Sequence, residues 1–320
     1  MSTRTYFNAY HFDALALGLQ SQRLFVSLQR FNFRNVIVIP EGIGMAYVEL
    51  FARMALKRIL YISQEIFPYV EQSEISKVSR ELPEYMQHYD KNEVRLFMPR
   101  YGTINERRNQ LHEVQRLSGI NLTIDNRDHP LIVKVASIPS ARMQVYFLHN
   151  DDFFKRKTGL EVSAKGPNDN DERSLFFVQG AFETIKKLRW EPGFIHCHGA
   201  FTALSMLYLR KVYNQDPALN TAKLVVSVYN EEQAVEIPTD LFAKLKSDGI
   251  AEEDYAVMEG KTDYEALMKL AISHADAVVQ GSEVISPNLA DFIAKSGKPF
   301  LAYPGADHPA EVYNNFYEQL

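Results

Sequence analysis

Cysteine is nearly absent: Cys197 is the only one in 320 residues. That excludes an internal disulfide framework and any zinc site built from several cysteines. A basic excess is missing too. Lysine and arginine total 35 against 40 acids, a net charge of −5, which argues against a dedicated nucleic-acid binder. No apolar run approaches the roughly 20 residues that span a bilayer. No P-loop, no G-x-G-x-x-G and no G-x-S-x-G motif occurs in the body of the chain, so ordinary NTPase, dehydrogenase and hydrolase readings lose support. What is present is ordinary globular composition, 46% hydrophobic and 23% charged with 15 Gly and 14 Pro. The length suits about two domains or one large α/β unit, enough to bury a full core without staples. The expected location is the reducing cytoplasm. No cofactor, metal, nucleic-acid or membrane partner is expected.

Residues 1–53 differ from the rest. They hold five Arg, no Lys and three acids (Asp13, Glu41, Glu49), a local charge of +2, against −7 for the remainder. Such a composition break is a boundary signal. Three readings fit. A wrongly assigned start, with Met54 the true first residue, is preferred. An Arg-bearing targeting segment comes second, weakened by having three Ser. A small appended domain is third. Gly42-Ile43-Gly44 follows a strand-like run, but Tyr47 occupies the third glycine position of a dinucleotide loop. Little packing of 1–53 against a body at 54–320 is expected.

From residue 57 strands and helices alternate. Lys57–Ser63 reads as a buried strand. Ile75, Val78, Leu82, Tyr85, Met86 and Tyr89 have helical spacing, with Pro83 predicting a kink or broken turn. Glu93–Met98 is the next strand. Residues 111–150 read as a small antiparallel insert returning to the main sheet. Beyond it come a helix at Glu172–Arg189, strands at Phe194–Cys197, Lys223–Tyr229, Ala277–Gln280 and Phe300–Tyr303, and helices at Thr202–Tyr213, Glu265–His274, Ile285–Lys295 and 309–319. This order predicts a single Rossmann-like, doubly wound parallel sheet. Ligands of such sheets sit beyond the strands' carboxyl ends, here the loops 64–75, 99–108, 197–201, 229–235 and 280–284.

Each motif there has a bland reading. Pro99-Arg100-Tyr101-Gly102 is a turn, or it points Arg100 and Tyr101 into the crevice. His196 and His198 share a face, being two apart on a strand, with no further metal ligands nearby. His196 reads as a satisfied core histidine and His198, nearer the strand end, as the site candidate. Cys197 points the other way and reads as buried. Asp169-Asn170-Asp171-Glu172-Arg173 reads chiefly as helix capping, with Glu172 favourable at the dipole's positive end. Glu252-Glu253-Asp254 reads as a solvated loop.

Three blocks together resemble the N-terminal domain of bacterial and plant glycogen/starch synthases. They are Ile59–Tyr69 with Glu81-Leu82-Pro83 and Val94–Gly102; Asp169-Asn170 and Arg173 with Trp190-Glu191-Pro192; and Phe194–Leu204, which parallels the family's His-Ala-His-Asp-Trp-His-Thr-Gly-Leu stretch. The match covers about 57–235 and is looser beyond. The resemblance implies one half of a two-domain (GT-B) retaining glucosyltransferase that takes ADP-glucose as donor substrate and an α-1,4-glucan as acceptor. It places His198 and Asn230 along the cleft, Asp169 on sugar hydroxyls and Tyr101, with Arg100 beside it, on the acceptor. Because the sequence ends at Leu320, the other half of the donor site is expected from a protein partner.

The departures bear on activity. Where the family has Lys-Thr-Gly-Gly-Leu after the first strand, this chain has Glu71-Gln72-Ser73-Glu74-Ile75. Family glycines there let backbone approach an anion at a helix N-terminus. Ser73 and Glu74 instead suit an N-cap and a first-turn acid, so the helix end is expected to be satisfied internally. Glu71 at the lysine position reverses a charge. With a unit pair at ~4 Å worth about 4 kcal/mol at a dielectric near 20, halved for screening, the swap totals about 4 kcal/mol, roughly a thousandfold in affinity. Asp-Trp-His becomes Gly199-Ala200-Phe201, and Ile-His-Asn becomes Val228-Tyr229-Asn230. Two expectations follow: an impaired ADP-glucose:glucan glucosyltransferase, or a non-catalytic derivative binding glucan, nucleotide or a protein. A Rossmann oxidoreductase is set aside for want of the glycine fingerprint.

Overall fold

The computed structural model describes residues 56–320 except 90–91, 139, 142, 157–158, 161–167 and 232–234. The expectations for 1–53 and for Met54 lie outside the described residues.

Ten strands join into one sheet among the described residues. They are β1 (Arg58–Ser63), β2 (Glu93–Pro99), β3 (His112–Glu113), β4 (Ile120–Ile124), β5 (Arg127–Ile138), β6 (Met143–His149), β7 (Phe194–His198), β8 (Lys223–Val228), β9 (Ala277–Gln280) and β10 (Phe300–Leu301). Their order is β10-β9-β8-β7-β1-β2-β6-β5-β3, with β4 on β5. From β10 to β6 every pairing is parallel. β1 shows why the apolar run at 59–62 forms a central strand: after Arg58 every residue is buried, which requires helices on both faces. The expected doubly wound parallel sheet is therefore present.

The insert is fused to this sheet. β5 pairs antiparallel with β3, β4 and β6, while β6 itself runs parallel to β2. Asp125 and Asn126 turn β4 into β5 with φ of 49° and 60°, the left-handed pair that a two-residue hairpin demands.

Helices cover both faces. β7 shows the division, because adjacent side chains point opposite ways. Cys197 faces Thr202 and Ser205, at the start of α4 (Leu204–Lys211), which packs beside α3 (Asn170–Leu188) and α7 (Tyr264–His274). His196 faces α9 (Ala310–Glu318), which packs beside α1 (Glu74–His88). Between these come α2 (Asp151–Phe154), α5 (Leu241–Ser247), α6 (Glu252–Tyr255) and α8 (Pro287–Ser296).

Two expectations need correction. α1 is not broken at Pro83, which lies inside a continuous helix. The missing amide costs one bond, while Val78, Leu82 and Met86 keep a buried stripe against the sheet. Residues 252–254 form the start of α6 instead of a loop. Glu252 and Glu253 are exposed, but Asp254 pairs with Lys211 at 2.6 Å. No helix among the described residues is long and apolar enough to cross a membrane.

Candidate functional site

The loops after β1, β7, β8 and β9 meet at the carboxyl edge of the sheet, and hydrogen bonds knit them together. Gln64, 4% exposed, is the hub. Its backbone N–H donates to the His198 carbonyl (3.2 Å) and its carbonyl accepts from the Tyr101 hydroxyl (2.9 Å). Its side-chain Oε1 accepts the Phe201 N–H (3.0 Å), and its Nε2 donates to Glu231 (3.2 Å). Gly199 has φ 90°, and a Cβ there would collide with the Gln64 side chain. Glycine is thus required twice over, by backbone conformation and by close approach.

The α1 N-terminus lies beside this hub. Ser73 Oγ accepts the Ser76 N–H (3.0 Å) while Ser76 Oγ accepts the Ser73 N–H (2.8 Å), a reciprocal capping box. Ser73 Oγ also donates to Glu65 (2.5 Å). Glu74 lies in the first turn and accepts from Ser282 Oγ, whose oxygen also takes the Asn230 N–H (2.8 Å). The internally satisfied helix end expected from Ser73 and Glu74 is what the fold contains. Glu71 is exposed. Its carbonyl accepts from Ser76 Oγ, and among the described residues no ion pair engages its carboxylate.

Both histidines of β7 are buried. His196 bonds Tyr317 Oη through Nδ1 and Ser227 Oγ through Nε2, both 2.8 Å, and Tyr61 shares a 3.2 Å hydrogen bond with Tyr317. It is the satisfied core histidine expected, held neutral because burial, then its neighbour His198, pushes its pKa well down. His198 is the correction. It does not open onto the crevice but is 0% exposed, bonded through Nδ1 to Tyr229 (2.6 Å). Burial, then His308, lowers its pKa to about 3. A side chain at the strand's last residue is still under cover because α9 and the segment before it lie over this face. Cys197 is buried as expected, its thiol pushed up to about 12 by desolvation.

Arg100 and Tyr101 do not line an open crevice either. The Arg100 guanidinium pairs with Glu106, which also takes Lys134 (2.7 Å). Tyr101 is buried and tethers the β1 loop through Gln64. Asp169 occupies the N-cap position of α3 without making a cap bond. Its carboxylate is gripped by both Nη atoms of Arg156, and a bidentate charge pair outcompetes a single neutral amide. Gly102 lies against this unit, since a Cβ there would meet the Arg156 carbonyl. Arg173 is buried, donating to Asn170 (2.7 Å) and to the Gly159 carbonyl (2.9 Å) over the Phe154 ring. Of the expected site residues only Asn230 and Glu71 are exposed at this edge.

Gln64 and Glu231 were not singled out by sequence, although both fall in loops that the carboxyl-end rule marks. Glu231 accepts the Ala200 N–H (2.9 Å) as well as Gln64 Nε2. Desolvation raises its carboxyl to about 7, with the charge of Glu65 adding to the rise. No group of three or more His, Cys, Asp or Glu side chains among the described residues could hold a metal ion.

Residues 58–295 match the family model described as the starch synthase catalytic domain. Glycogen synthase of Chlorobium phaeobacteroides is 33% identical over 229 residues, 71% of this chain and 46% of that protein. The Chlorobium limicola enzyme is 32% identical over 235 residues, 72% and 47% respectively. The chain therefore spans about half the length of the curated relatives it matches. The catalytic domain of Starch Synthase IV from Arabidopsis thaliana, solved bound to ADP and acarbose, superimposes with a TM-score of 0.63 at 17% identity, covering 78% of this chain and 51% of that one. That likeness concerns the fold.

Proposed function

Since this chain belongs to the starch synthase catalytic-domain family, we propose that it is a glycogen/starch synthase-type domain that holds α-glucan and has a weakened grip on ADP-glucose. The observation that carries this reading is the filled end of α1. A helix N-terminus facing a crevice is a ready anion seat, because its amides are free and its dipole is positive. Here Ser73 takes the Ser76 amide, and Glu65 and Glu74 bring carboxylates to the same end. A pyrophosphate arriving there meets a Ser76 amide already taken and the negative charge of Glu65 and Glu74.

Glucosyl transfer with retention develops positive charge on the sugar and negative charge on the leaving phosphate, so donors must be arranged on both sides of the sugar. This domain offers Asn230 at the sheet edge. A second domain or partner chain facing that edge supplies the opposing donors. The non-catalytic reading, a module that binds glucan, nucleotide or a protein, is favoured by the same filled helix end.

The test is ADP release from ADP-glucose with glycogen, run beside glycogen co-sedimentation. His198→Ala is a poor control because it hollows the core, so Asn230→Ala serves. The expected result is glycogen binding with ADP release reduced by roughly a hundredfold or more against a full-length relative, the loss of about 3 kcal/mol of donor contacts. Turnover matching the relative and lost in Asn230→Ala overturns the weakened-donor reading. Failure to bind glycogen overturns the retained acceptor side.

A further inference from the structure

The Glu231 carboxylate occupies a small pocket of directed donors. The Ala200 amide reaches one oxygen at 2.9 Å, and Gln64 Nε2 reaches the other at 3.2 Å. The Gln64 amide has no freedom to turn. Its Oε1 already accepts the Phe201 N–H, so Nε2 must point at Glu231. Gly199 keeps the floor open, because any side chain there would displace Gln64. Gln64 is nine-tenths buried and sits in the hydrogen-bonded frame of β1 and β7. The donors are thus held by the scaffold, while the acceptor comes from the loop after β8.

We propose that the Ala200 amide and the Gln64 side-chain amide form an anion subsite in which the Glu231 carboxylate is a built-in occupant that excludes an external phosphate. The inference rests on the reading above and deepens it: the anion seat at α1 is capped by Ser73, and a second one, at the end of β7, is closed by a carboxylate of the chain itself. Two fixed donors, each engaging one of the two oxygens of a single carboxylate, suit an anion that presents two oxygens side by side, as phosphate does. Partial burial gives their loss a cost, since each would otherwise be left without an acceptor. Burial is the larger influence and raises the Glu231 carboxyl to about 7, while the Ala200 and Gln64 donors pull the other way, toward the charged form.

The experiment titrates the full chain with inorganic phosphate and, separately, with ADP, following phosphorus resonances and heat of binding. Glu231→Ala leaves both donors open and is expected to gain about tenfold or more in phosphate affinity over the wild type, the worth of one or two charge-assisted hydrogen bonds. Glu231→Gln keeps an acceptor oxygen in place and is expected to gain less. Adding Gln64→Leu to Glu231→Ala should erase most of the gain. Glu283→Ala removes an exposed acid nearby and measures the effect of charge alone, expected at about twofold or less. Equal binding by wild type and Glu231→Ala overturns the proposal. So does a gain that survives Gln64→Leu, or one that Glu283→Ala reproduces. Near-UV circular dichroism confirms that each variant keeps its packing. None of these readouts uses turnover or glycogen, so they fail independently of the functional reading.

Discussion

Replacing Glu71 by lysine tests the weakened donor grip directly. By sequence the reversal was worth about 4 kcal/mol, taking a charge pair at ~4 Å and a dielectric near 20, halved for screening. The structure lowers that figure, because Glu71 is exposed. A measured exposed ion pair contributes about 0.2–1 kcal/mol. Exchanging repulsion for attraction counts it twice, so Glu71→Lys should gain about 0.4–2 kcal/mol, roughly two- to thirtyfold in affinity for ADP. The gain must also be salt-sensitive, since the screening length falls from about 10 Å at 0.1 M to about 3 Å at 1 M. Calorimetric titration of ADP into both proteins at low and high salt reads this out. No gain at low salt refutes the placement of residue 71 beside the donor. A gain unchanged at high salt refutes its electrostatic origin.

Three further outcomes are expected. Tyr317→Phe removes the hydroxyl shared by His196 and Tyr61. It should cost about 2–4 kcal/mol in urea unfolding, since each stranded buried group costs about 1–3 kcal/mol; a loss under about 0.5 kcal/mol would mean the network is dispensable. Lys244→Met strips Asp171, 1% exposed, of its partner. It should cost about 3–5 kcal/mol, most of it recovered when Asp171→Asn is added. Glu231 has a native pKa of about 7 against an ordinary 4.5, so the folded state holds its proton more tightly. The stability this confers is complete below about pH 4.5 and lost as pH rises through 7, amounting to about 3 kcal/mol. Glu231→Gln cannot titrate, so its stability relative to wild type should climb across that window; a flat difference would show that the carboxyl is not held in a desolvated place.

How much of the site was legible depends on the reach of each interaction. The Ser73 cap was readable because it joins residues three apart, which a helix's first turn always brings together. The His196/His198 face was readable from strand alternation. Asp169 was misassigned because local spacing favours a cap, whereas Arg156 arrives from 13 positions earlier and binds more strongly. Arg100 and Tyr101 were placed in a crevice for the same reason: nothing local announces Glu106 or the Gln64 carbonyl as their partners.

The alternation of strands and helices, the parallel sheet, the family of the domain and the capped end of α1 were all legible in the order of the residues. All of these follow from periodicity, from neighbours within a turn of helix or from motifs in order. That His198 is sealed from solvent against Tyr229, and that Glu231 fills the pocket beside Gln64 across 167 positions of chain, came from long-range packing alone. Short-range contacts are imposed by backbone geometry wherever the residues occur. Contacts between distant segments exist only after the sheet has chosen its strand order, and no local pattern records which side chain will arrive first.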